Sequence, residues 1–443
     1  MDIPPRAVQF AYHSNGSETQ GRPGVTGALS DGLIVGVAGV AIVGVIARPW
    51  RTPEALWACL GAVLLVLLGL ISPARALAGV AKGTDVYLFL GGMMLLSEIA
   101  RLEGLFDWVA AYAVNHARGS PRQLFGLVYL VGVAVTAVLS NDATAVVLTP
   151  AVFAAARKAG ADPLPHLFAC ALVANAASFL LPISNPANLV LYASRTPPLG
   201  AWLVSFLLPS LMAIGASFAL LLIAERRRLA GACAPRVAQP RLTRGGGAAL
   251  IGLVATALVL VAVSAAGIPL GEPTAAMGAL TCAAVLVRER SSPWPVIKGV
   301  AWSVIPLVAG LFVLVEGLDQ AGLVGLLAHA LQGATAQSAR GAGALAGTAL
   351  ALGSNLTNNL PAGLLAAATA KAAHAPRVVT DALLIGVDLG PNLSVTGSLA
   401  TILWLKAIRR EGEDVGFWRF LKVGALVMPP ALALALGARL LLG

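Results

Sequence analysis

A short polar segment, SNDATAVVLTP, begins at Ser140 and carries side chains that could bind a solute. It interrupts two apolar stretches, residues 124–139 and 143–156, each of which is short for a full membrane crossing. Ser140, Asn141 and Asp142 free the backbone from helical pairing and cap the helix that follows. Two short helices joined by such a tip would form a re-entrant hairpin, which is tolerated at membrane depth where it lines a protein-enclosed cavity. For this segment alone, an ordinary turn outside the membrane is the alternative.

A second polar segment, GSNLTNNLPAG, begins at Gly353 and repeats this arrangement in the other half of the chain. Its neutral hydrogen-bond donors and acceptors are Asn355, Thr357, Asn358 and Asn359. Pro361 follows at a position early in a helix, where proline is tolerated. Two such tips in matching places favour a binding role over two turns, and they predict hairpins at about 121–157 and 342–373.

Two further segments should break the helices in which they lie. In LLPISNPANLVLYA, Pro182 and Pro186 bracket Ser184 and Asn185, so helical hydrogen bonds fail there. In GVDLGPNLSVTGSLATILWL, the polar and helix-breaking residues between apolar flanks are Asp388, Gly390, Pro391, Asn392, Ser394, Thr396, Gly397 and Ser398. We expect both segments to be unwound parts of transmembrane helices.

Asp142 and Asp388 are the two carboxylates expected at membrane depth. A carboxylate there costs at least roughly 2.5–3.5 kcal/mol on insertion scales, so each needs a partner or a function. Removal from water favours the protonated form of a carboxyl group, which makes both residues candidates for proton exchange. The alternative is that each one caps a helix or contacts water at a loop.

Internal repetition is the next signal. Two apolar segments superpose with Gly92 on Gly310 and Glu98 on Glu316, and the polar tips and broken segments follow in the same order in each half. Such symmetry is typical of secondary transporters and predicts two inverted repeats. Since Glu98 and Glu316 lie inside apolar helices, we expect bonds to backbone or to a neighbouring helix rather than ion coupling.

The elements that position these residues are membrane helices. Of 443 residues, 58% are hydrophobic and 11% are charged, whereas a soluble domain carries about 25% charged residues. Several apolar runs approach or exceed the roughly 20 residues that cross a bilayer, and in lipid such runs form helices. We therefore predict an all-α polytopic protein of the lipid bilayer with about 10 transmembrane helices.

The predicted organisation is a flexible tail (1–30), a first repeat (31–224), a basic linker (225–245) and a second repeat (246–443). The net charge of +10 and the arginines of the linker place that linker in the cytoplasm, with nucleic-acid binding a poorer interpretation. No phosphate-binding loop occurs, so transport should use a gradient or a separate ATPase. The scattered cysteines and histidines predict no metal site and no cofactor.

Several segments together resemble the ArsB-type arsenite efflux permeases of the ion transporter superfamily. They are GGMMLLSEIARLEGLFDW, SNDATAVVLTP, SNPANLV, GSNLTNNLPAG and DLGPNLSVTGSLATILWL. The resemblance runs from about Thr84 to the C-terminus, with the motifs in the same order. It implies an inner (cytoplasmic) membrane pump that exports arsenite or antimonite, either alone as a proton-coupled antiporter or with a soluble ArsA-type ATPase.

The resemblance also implies a central substrate site between two hairpins and two unwound helices. The substrate-binding residues it implies are Ser140, Asn141, Thr144, Ser184, Asn185, Asn188, Ser354, Asn355, Thr357, Asn358, Asn359, Asn392, Thr396 and Ser398. Our own hypothesis is that Asp142 or Asp388 couples transport to protons, by taking up a periplasmic proton when the site empties outward. Carboxylate-transporting relatives carry a Ser-Asn-Thr tip in both halves, whereas here the tips read Ser-Asn-Asp and Ser-Asn-Leu. That departure disfavours a dicarboxylate substrate.

Arsenous acid is an uncharged trihydroxide at neutral pH, so Asn, Ser and Thr side chains could satisfy its hydroxyls. A sodium/proton antiporter of the same superfamily is the alternative within transport, with Asp142 and Asp388 on sodium. A membrane-embedded enzyme is less favoured, because the sequence shows no metal-ligand cluster and no Ser/His/Asp set. A structural scaffold would have no need of two matched polar interruptions.

Overall fold

The computed structural model describes residues 24–49, 52–192 and 196–442, and this part of the chain is built from helices without a strand. The all-α prediction is therefore confirmed for these residues. Helix α1 begins at Gly24, so residues 24–30 of the predicted tail are helical. Residues 1–23 of that tail lie outside the described residues.

The first half of the chain contains helices α1 to α11. Their bounds are Gly24–Ala47, Glu54–Leu67, Pro73–Lys82, Thr84–Leu102, Leu105–His116, Pro121–Val138, Asn141–Ala143, Thr149–Lys158, Pro163–Ala176, Pro186–Tyr192 and Leu199–Ala224. A π-helical turn, Thr144–Leu148, connects α7 to α8, and a 3₁₀ turn, Pro182–Ser184, precedes α10.

The second half contains helices α12 to α21. Their bounds are Arg244–Ala265, Gly271–Glu289, Trp294–Gly299, Val304–Gln320, Leu323–Gln337, Ala339–Thr357, Asn359–Ala372, Arg377–Leu389, Leu399–Arg410 and Phe417–Leu442. A 3₁₀ turn, Gly390–Asn392, follows α19.

Five helices of the described residues are long and apolar enough to cross a membrane: Gly27–Ala47 within α1, then α6, α11, α12 and α21. Helices α15 and α16 together reach the same length and apolarity but are bent by 73° at the break between them. Helices α2 and α9 are apolar but shorter. The expected count of about ten crossings, the inverted repeats and the re-entrant hairpins stay predictions.

The two halves interlock through close helix crossings. Helix α4 packs on α13, and α15 packs on α2. A Cβ atom on Gly92 would lie 2.2 Å from the carbonyl oxygen of Thr274, and one on Gly310 would lie 2.7 Å from the backbone of Ala58. Only glycine permits such approach, which is how membrane helices pack closely. Both glycines that the sequence pairs therefore lie at crossings between the halves.

Glu98 and Glu316, the matched acids of α4 and α15, both form ion pairs in the structure. Glu98 bonds Arg101 of its own helix, with Nη2 2.5 Å from Oε1. Glu316 bonds two cations of the amphipathic helix α3, Arg75 at 2.9 Å and Lys82 at 2.5 Å. The two Glu316 pairs link α15 to the neighbouring helix α3, whereas Glu98 bonds a side chain of its own helix.

The basic linker lies along the ends of the helices of the first half. Arg228 contacts Asp162 at 2.9 Å and Glu225 at 3.7 Å. Farther along, the backbone N–H of Val237 donates to Asn115 Oδ1 at 2.7 Å. Burial raises the pKa of the Glu225 carboxyl, and the positive charge of Arg228 opposes that shift. The linker is thus fixed to α5 and α9, and its cytoplasmic placement stays an expectation.

Candidate functional site

The chain between α9 and α10 is unwound, and a single side chain bonds the carbonyls that this leaves free. Asn188 donates from Nδ2 to the carbonyl oxygens of Ser178, Leu181 and Pro182, at 2.8, 3.2 and 3.3 Å. Ser184 donates to the carbonyl of Ala137, at the end of α6, at 3.2 Å. Since buried backbone groups need partners, these two predicted residues hold the unwound segment in place.

The unwound chain between α19 and α20 is bound to the second polar tip. Asn355 Nδ2 donates to the carbonyl oxygen of Gly390 at 3.0 Å, and Ser394 donates to Asn355 Oδ1 at 2.8 Å. Thr396 donates to the Asn355 carbonyl at 2.9 Å. The N–H of Asn359 donates to the Gly397 carbonyl at 2.8 Å. The tip and the unwound segment therefore form one unit.

Asn358 makes the corner of the second tip, between α17 and α18. Its φ of 70° lies in the left-handed region, which asparagine tolerates better than most residues. Its side-chain oxygen caps α18 by accepting from the N–H of Leu360 at 3.3 Å. Thr357 and Ser354 donate to carbonyls of their own helix, Gly353 at 3.1 Å and Ala351 at 2.9 Å. Helix α17 thus ends at Thr357, and α18 begins directly after the corner, at Asn359.

The first polar tip has fewer bonds. Ser140 caps α7 by accepting from the N–H of Ala143 at 3.2 Å, and Asn141 Oδ1 accepts from the N–H of Asp142 at 2.9 Å. Thr144 contacts Thr136 at 2.8 Å between the hydroxyls. Within the described residues the Asp142 carboxylate has no hydrogen-bond or ion-pair partner. Binding of a ligand or a proton by this carboxylate stays a prediction.

Asp388 is enclosed by the broken segment of the other half. It is 0% exposed. Ser178 donates to Oδ2 at 2.7 Å, and Asn185 donates from Nδ2 to Oδ1 at 2.8 Å. A buried carboxylate needs such donors, and both come from the segment between α9 and α10. The predicted Asp388 and Asn185, far apart in sequence, are therefore direct partners.

Three buried residues of the site were not found from the sequence: Asn175, Ser178 and Thr401. Asn175 donates to Asn392 Oδ1 at 3.0 Å and to the Thr401 hydroxyl at 3.4 Å, and the Ser398 hydroxyl lies 3.5 Å from its Oδ1. Asn392 in turn donates to the carbonyl of Leu172 at 3.0 Å. The sequence offered one signal for Asn175, which is an asparagine inside an otherwise apolar helix. Asn175 also precedes Asp388 by the same number of residues by which Asn185 precedes Ser398.

Three of the four interruptions line one small cavity, and the fourth ends directly beside it. Asn141 and Asp142 of the first tip line it, as do Asn359 of the second tip and Asn185 of the first break. The remaining lining residues are Leu90, Pro186, Val304, Leu360, Leu399 and Ala400. Leu399 and Ala400 open helix α20, directly after the second break. The structure thus brings together the segments that the sequence singled out.

Most of the predicted site residues support the cavity rather than line it. Those outside the lining are Ser140, Thr144, Ser184, Asn188, Ser354, Asn355, Thr357, Asn358, Asp388, Asn392, Thr396 and Ser398. Their bonds hold the tips and the broken segments, as described above. Thr357 lines a second, apolar cavity beside α1 and α15. Direct contact with a ligand in the polar cavity is therefore predicted for Asn141, Asp142, Asn185 and Asn359.

An all-helical membrane protein with broken helices around a polar cavity has the architecture of a transporter rather than an enzyme. The model of the citrate transporter family matches residues 42–387. The chain belongs to this family, which is part of the ion transporter superfamily, and it is a multi-pass membrane protein and a secondary transporter.

Similar proteins share most of its length. The chain is 28% identical over 413 residues to an arsenical pump membrane protein of Escherichia coli K12, covering 86% of this chain and 92% of that protein. An arsenical pump membrane protein of Yersinia enterocolitica is 28% identical over 367 residues, 78% and 83% of the two chains. An uncharacterized transporter of Mycobacterium tuberculosis H37Rv is 28% identical over 375 residues, 79% and 84%.

A solved structure shares the fold. The crystal structure of the Alcanivorax borkumensis YdaH transporter superposes with a TM-score of 0.53 at 18% identity, covering 83% of this chain and 86% of that one. At this identity the likeness concerns the fold alone.

Proposed function

We propose that the protein exports arsenite and antimonite across the inner membrane in exchange for protons, with the substrate bound in the cavity between the two tips and the two broken helices. The single observation that carries this proposal is the chemistry of the cavity lining. It offers the amides of Asn141, Asn185 and Asn359 and the carboxylate of Asp142, with otherwise apolar neighbours.

This lining suits an uncharged polar solute better than a polycarboxylate. None of the ten lining residues is Lys, Arg or His, and the one charged group is an acid. Citrate carries several negative charges at neutral pH, so Asp142 would repel it in a site of low polarity. Arsenous acid is neutral and presents three hydroxyl groups, which three side-chain amides could bind.

Asn359 supports a bound ligand at this place. It is 3% exposed, and its side-chain oxygen has no hydrogen-bond partner among the described residues. A buried acceptor without a partner costs free energy, and it recovers that cost when a hydroxyl donates to it. A substrate hydroxyl in the cavity would supply the missing donor.

Asp142 and Asp388 are the proposed proton carriers. Asp142 stands in the cavity, and Asp388 is separated from it by Asn185, which touches both the cavity and the Asp388 carboxylate. In the proposed cycle, a periplasmic proton is taken up when the site empties outward. Its release toward the cytoplasm restores the affinity for arsenite. The names of the arsenical pump relatives agree with this substrate.

Everted membrane vesicles test the proposal. With an inside-acid gradient and no soluble ArsA-type ATPase, vesicles with the wild-type protein should accumulate arsenite, and a protonophore should abolish the accumulation. Asp142→Asn or Asp388→Asn should remove it as well. A variant that still transports against the gradient at the wild-type rate would take its residue out of the scheme.

Substrate competition makes the test specific. Antimonite should inhibit arsenite accumulation, whereas citrate and sodium should leave it unchanged. Sodium-dependent proton movement without any arsenite flux would instead support a sodium/proton antiporter of the same superfamily.

A further inference from the structure

A buried ionic cluster lies outside the cavity lining and joins three helices. Asp381 of α19 is 0% exposed, and Arg439 in the last turn of α21 is 5% exposed. Arg439 Nε donates to Asp381 Oδ2 at 2.7 Å, and the hydroxyl of Tyr192, at the end of α10, donates to the other carboxylate oxygen. None of the three residues lines the polar cavity. Their role must therefore differ from substrate contact.

The cluster pairs buried groups of opposite charge. If Asp381 were neutral, Arg439 would be a buried cation without a counterion, which is strongly unfavourable. Arg377 adds a second positive charge, with Nε 3.8 Å from Asp381 Oδ2, and it also donates to the carbonyl of Ala201 at 2.7 Å. Asp381 is therefore suited to holding helices together.

Two side-chain hydrogen bonds, one in the cluster and one in the site, join the chain of α10 to α19; we call each of them a polar rung. Asn185 precedes α10 and bonds Asp388, while Tyr192 ends α10 and bonds Asp381. Asp381 precedes Asp388 by the same number of residues that separates Asn185 from Tyr192, which is about two helical turns. Helices α10 and α19 therefore run antiparallel, with one polar rung at each end of α10.

A third contact links the cluster to the unwound chain before α10. The Tyr192 ring packs edge-on against Trp202, with centroids 5.6 Å apart. Trp202 is fully buried, and its Nε1 donates to the carbonyl oxygen of Phe179 at 3.2 Å. Phe179 follows Ser178, the other donor to Asp388. A shift of Tyr192 would thus reach both donors of the Asp388 carboxylate.

We propose that Tyr192, Asp381 and Arg439 are positioning residues that fix the register of α10 against α19 and so hold Asn185 and Ser178 on Asp388. Helix α10 is short and starts at a proline after an unwound segment. Its own backbone bonds cannot define its position, because a helix of this length is unstable without tertiary contacts. The consequence for transport rests on the proposed function, whereas the positioning itself does not.

Hydrogen exchange of the purified protein without substrate tests the positioning directly. Tyr192→Phe keeps the ring on Trp202 and removes only the hydroxyl. The amides of residues 188–192 should then exchange about tenfold faster, as expected for the loss of a hydrogen bond to a charged group. The matched control is Tyr129→Phe, which removes a buried tyrosine hydroxyl that donates to the Ile214 carbonyl at 2.9 Å. This control should leave α10 unchanged, and unchanged exchange in Tyr192→Phe would overturn the proposal.

A charge-paired set of variants separates positioning from failure to fold. Asp381→Asn and Arg439→Gln each leave one buried charge without its ion-pair partner. Each should therefore lower the yield of folded protein severalfold. The double variant Asp381→Asn with Arg439→Gln removes both charges and keeps polar partners, so its yield should recover. A double variant as poor as the singles would contradict the pairing.

Transport then connects the cluster to the site. Tyr192→Phe should raise the half-saturating arsenite concentration severalfold while the maximal rate stays within about twofold of wild type. In an Asn185→Ala background the same change should add nothing further, because the rung it supports is already absent. Additive effects would show that the cluster acts apart from Asn185. If wild-type protein moved no arsenite, the proposed function would fail while the exchange result still decided the positioning.

Discussion

The ends of helices α9 and α19 carry related polar residues with different charge. Asn175 near the end of α9 lies 3.5 Å from Ser398, the residue that caps α20, and Asp388 near the end of α19 accepts from Asn185, which precedes α10. The same sequence spacing separates Asn175 from Asp388 and Asn185 from Ser398. The end of α9 therefore contacts the break of the second half through neutral groups, and the end of α19 contacts the break of the first half through a carboxylate.

The difference in charge indicates different roles for the contacts of Asn175 and those of Asp388. Asn175 makes bonds to Asn392 and Thr401 that need no change of charge. Asp388 sits among donors that suit a carboxylate, yet it would remain accommodated as a neutral acid because Ser178 and Asn185 can turn or accept. The neutral pair holds the two breaks together, and the acidic pair is where we propose that a proton binds.

The largest effect on arsenite accumulation is expected when the acidic pair at Asp388 is made neutral like the pair at Asn175. Asp388→Asn gives both helix ends an amide and should fold, since an amide oxygen still accepts one bond. A pH difference of one unit stores about 1.4 kcal/mol for each proton exchanged, enough for about tenfold accumulation. Accumulation in everted vesicles should fall from this level to about onefold, while downhill arsenite exchange continues. Tyr129→Phe, which removes a buried hydroxyl outside both pairs, is the control, and it should keep gradient-driven accumulation.

A second comparison concerns the two polar tips. Substitution in the second tip should mainly lower stability, whereas substitution in the first should mainly lower transport. Asn355 makes bonds to the carbonyls of Ala351 and Gly390 and accepts from Ser394 but does not line the cavity. Asn355→Ala leaves these groups unpaired and should cost about 2–3 kcal/mol of stability. Asn141 lines the cavity and accepts one local bond.

Asn141→Ala should therefore cost about 1 kcal/mol or less of stability and yet lower arsenite transport more than its stability loss explains. Thermal unfolding in detergent measures one property, and initial uptake rates at matched protein amounts measure the other. Equal stability losses at the two tips would show that the first tip is as firmly bound as the second.

The smallest effect is expected at Glu225, a carboxylate outside the site that serves as a reference for the two acids within it. Burial raises its pKa in the folded state, and Arg228 partly offsets this. A raised folded pKa means that the folded state binds the proton more readily, so its contribution to stability falls as pH rises from about 4.5 through the folded value. Glu225→Gln should flatten that fall by less than about 1 kcal/mol and leave transport unchanged. A loss of proton coupling in this variant would move the coupling site out of the cavity.

The sequence predicted the interruptions well because prolines, asparagines and serines clustered inside an apolar run are unfavourable in a continuous membrane helix. Asn141, Asn185 and Asn359 lie in such clusters, and the structure brings all three to one cavity. Asn175 and Ser178 were missed because local sequence shows neither which face of an apolar helix is buried nor which distant residue meets it. Their partners, Asn392 and Asp388, lie in the other half of the chain.

The buried cluster could not have been predicted for the same reason. Arg439 lies in the last turn of the final helix, and an arginine near the end of a membrane helix usually extends to the membrane surface. Only tertiary packing shows that it turns inward to Asp381. Likewise the support given by Asn355 to the second break depends on how α17 packs on the 3₁₀ turn after α19.

We propose that arsenite and protons exchange through the cavity between the tips and the breaks. The most direct measurement reconstitutes the purified protein in proteoliposomes loaded with a pH-sensitive dye and follows proton movement when an arsenite gradient is imposed. We expect this exchange to give proton flux opposite to arsenite flux in wild-type protein and arsenite flux without proton flux in Asp388→Asn. Arsenite flux with no proton movement in the wild type, or unchanged coupling in both Asp142→Asn and Asp388→Asn, would contradict it.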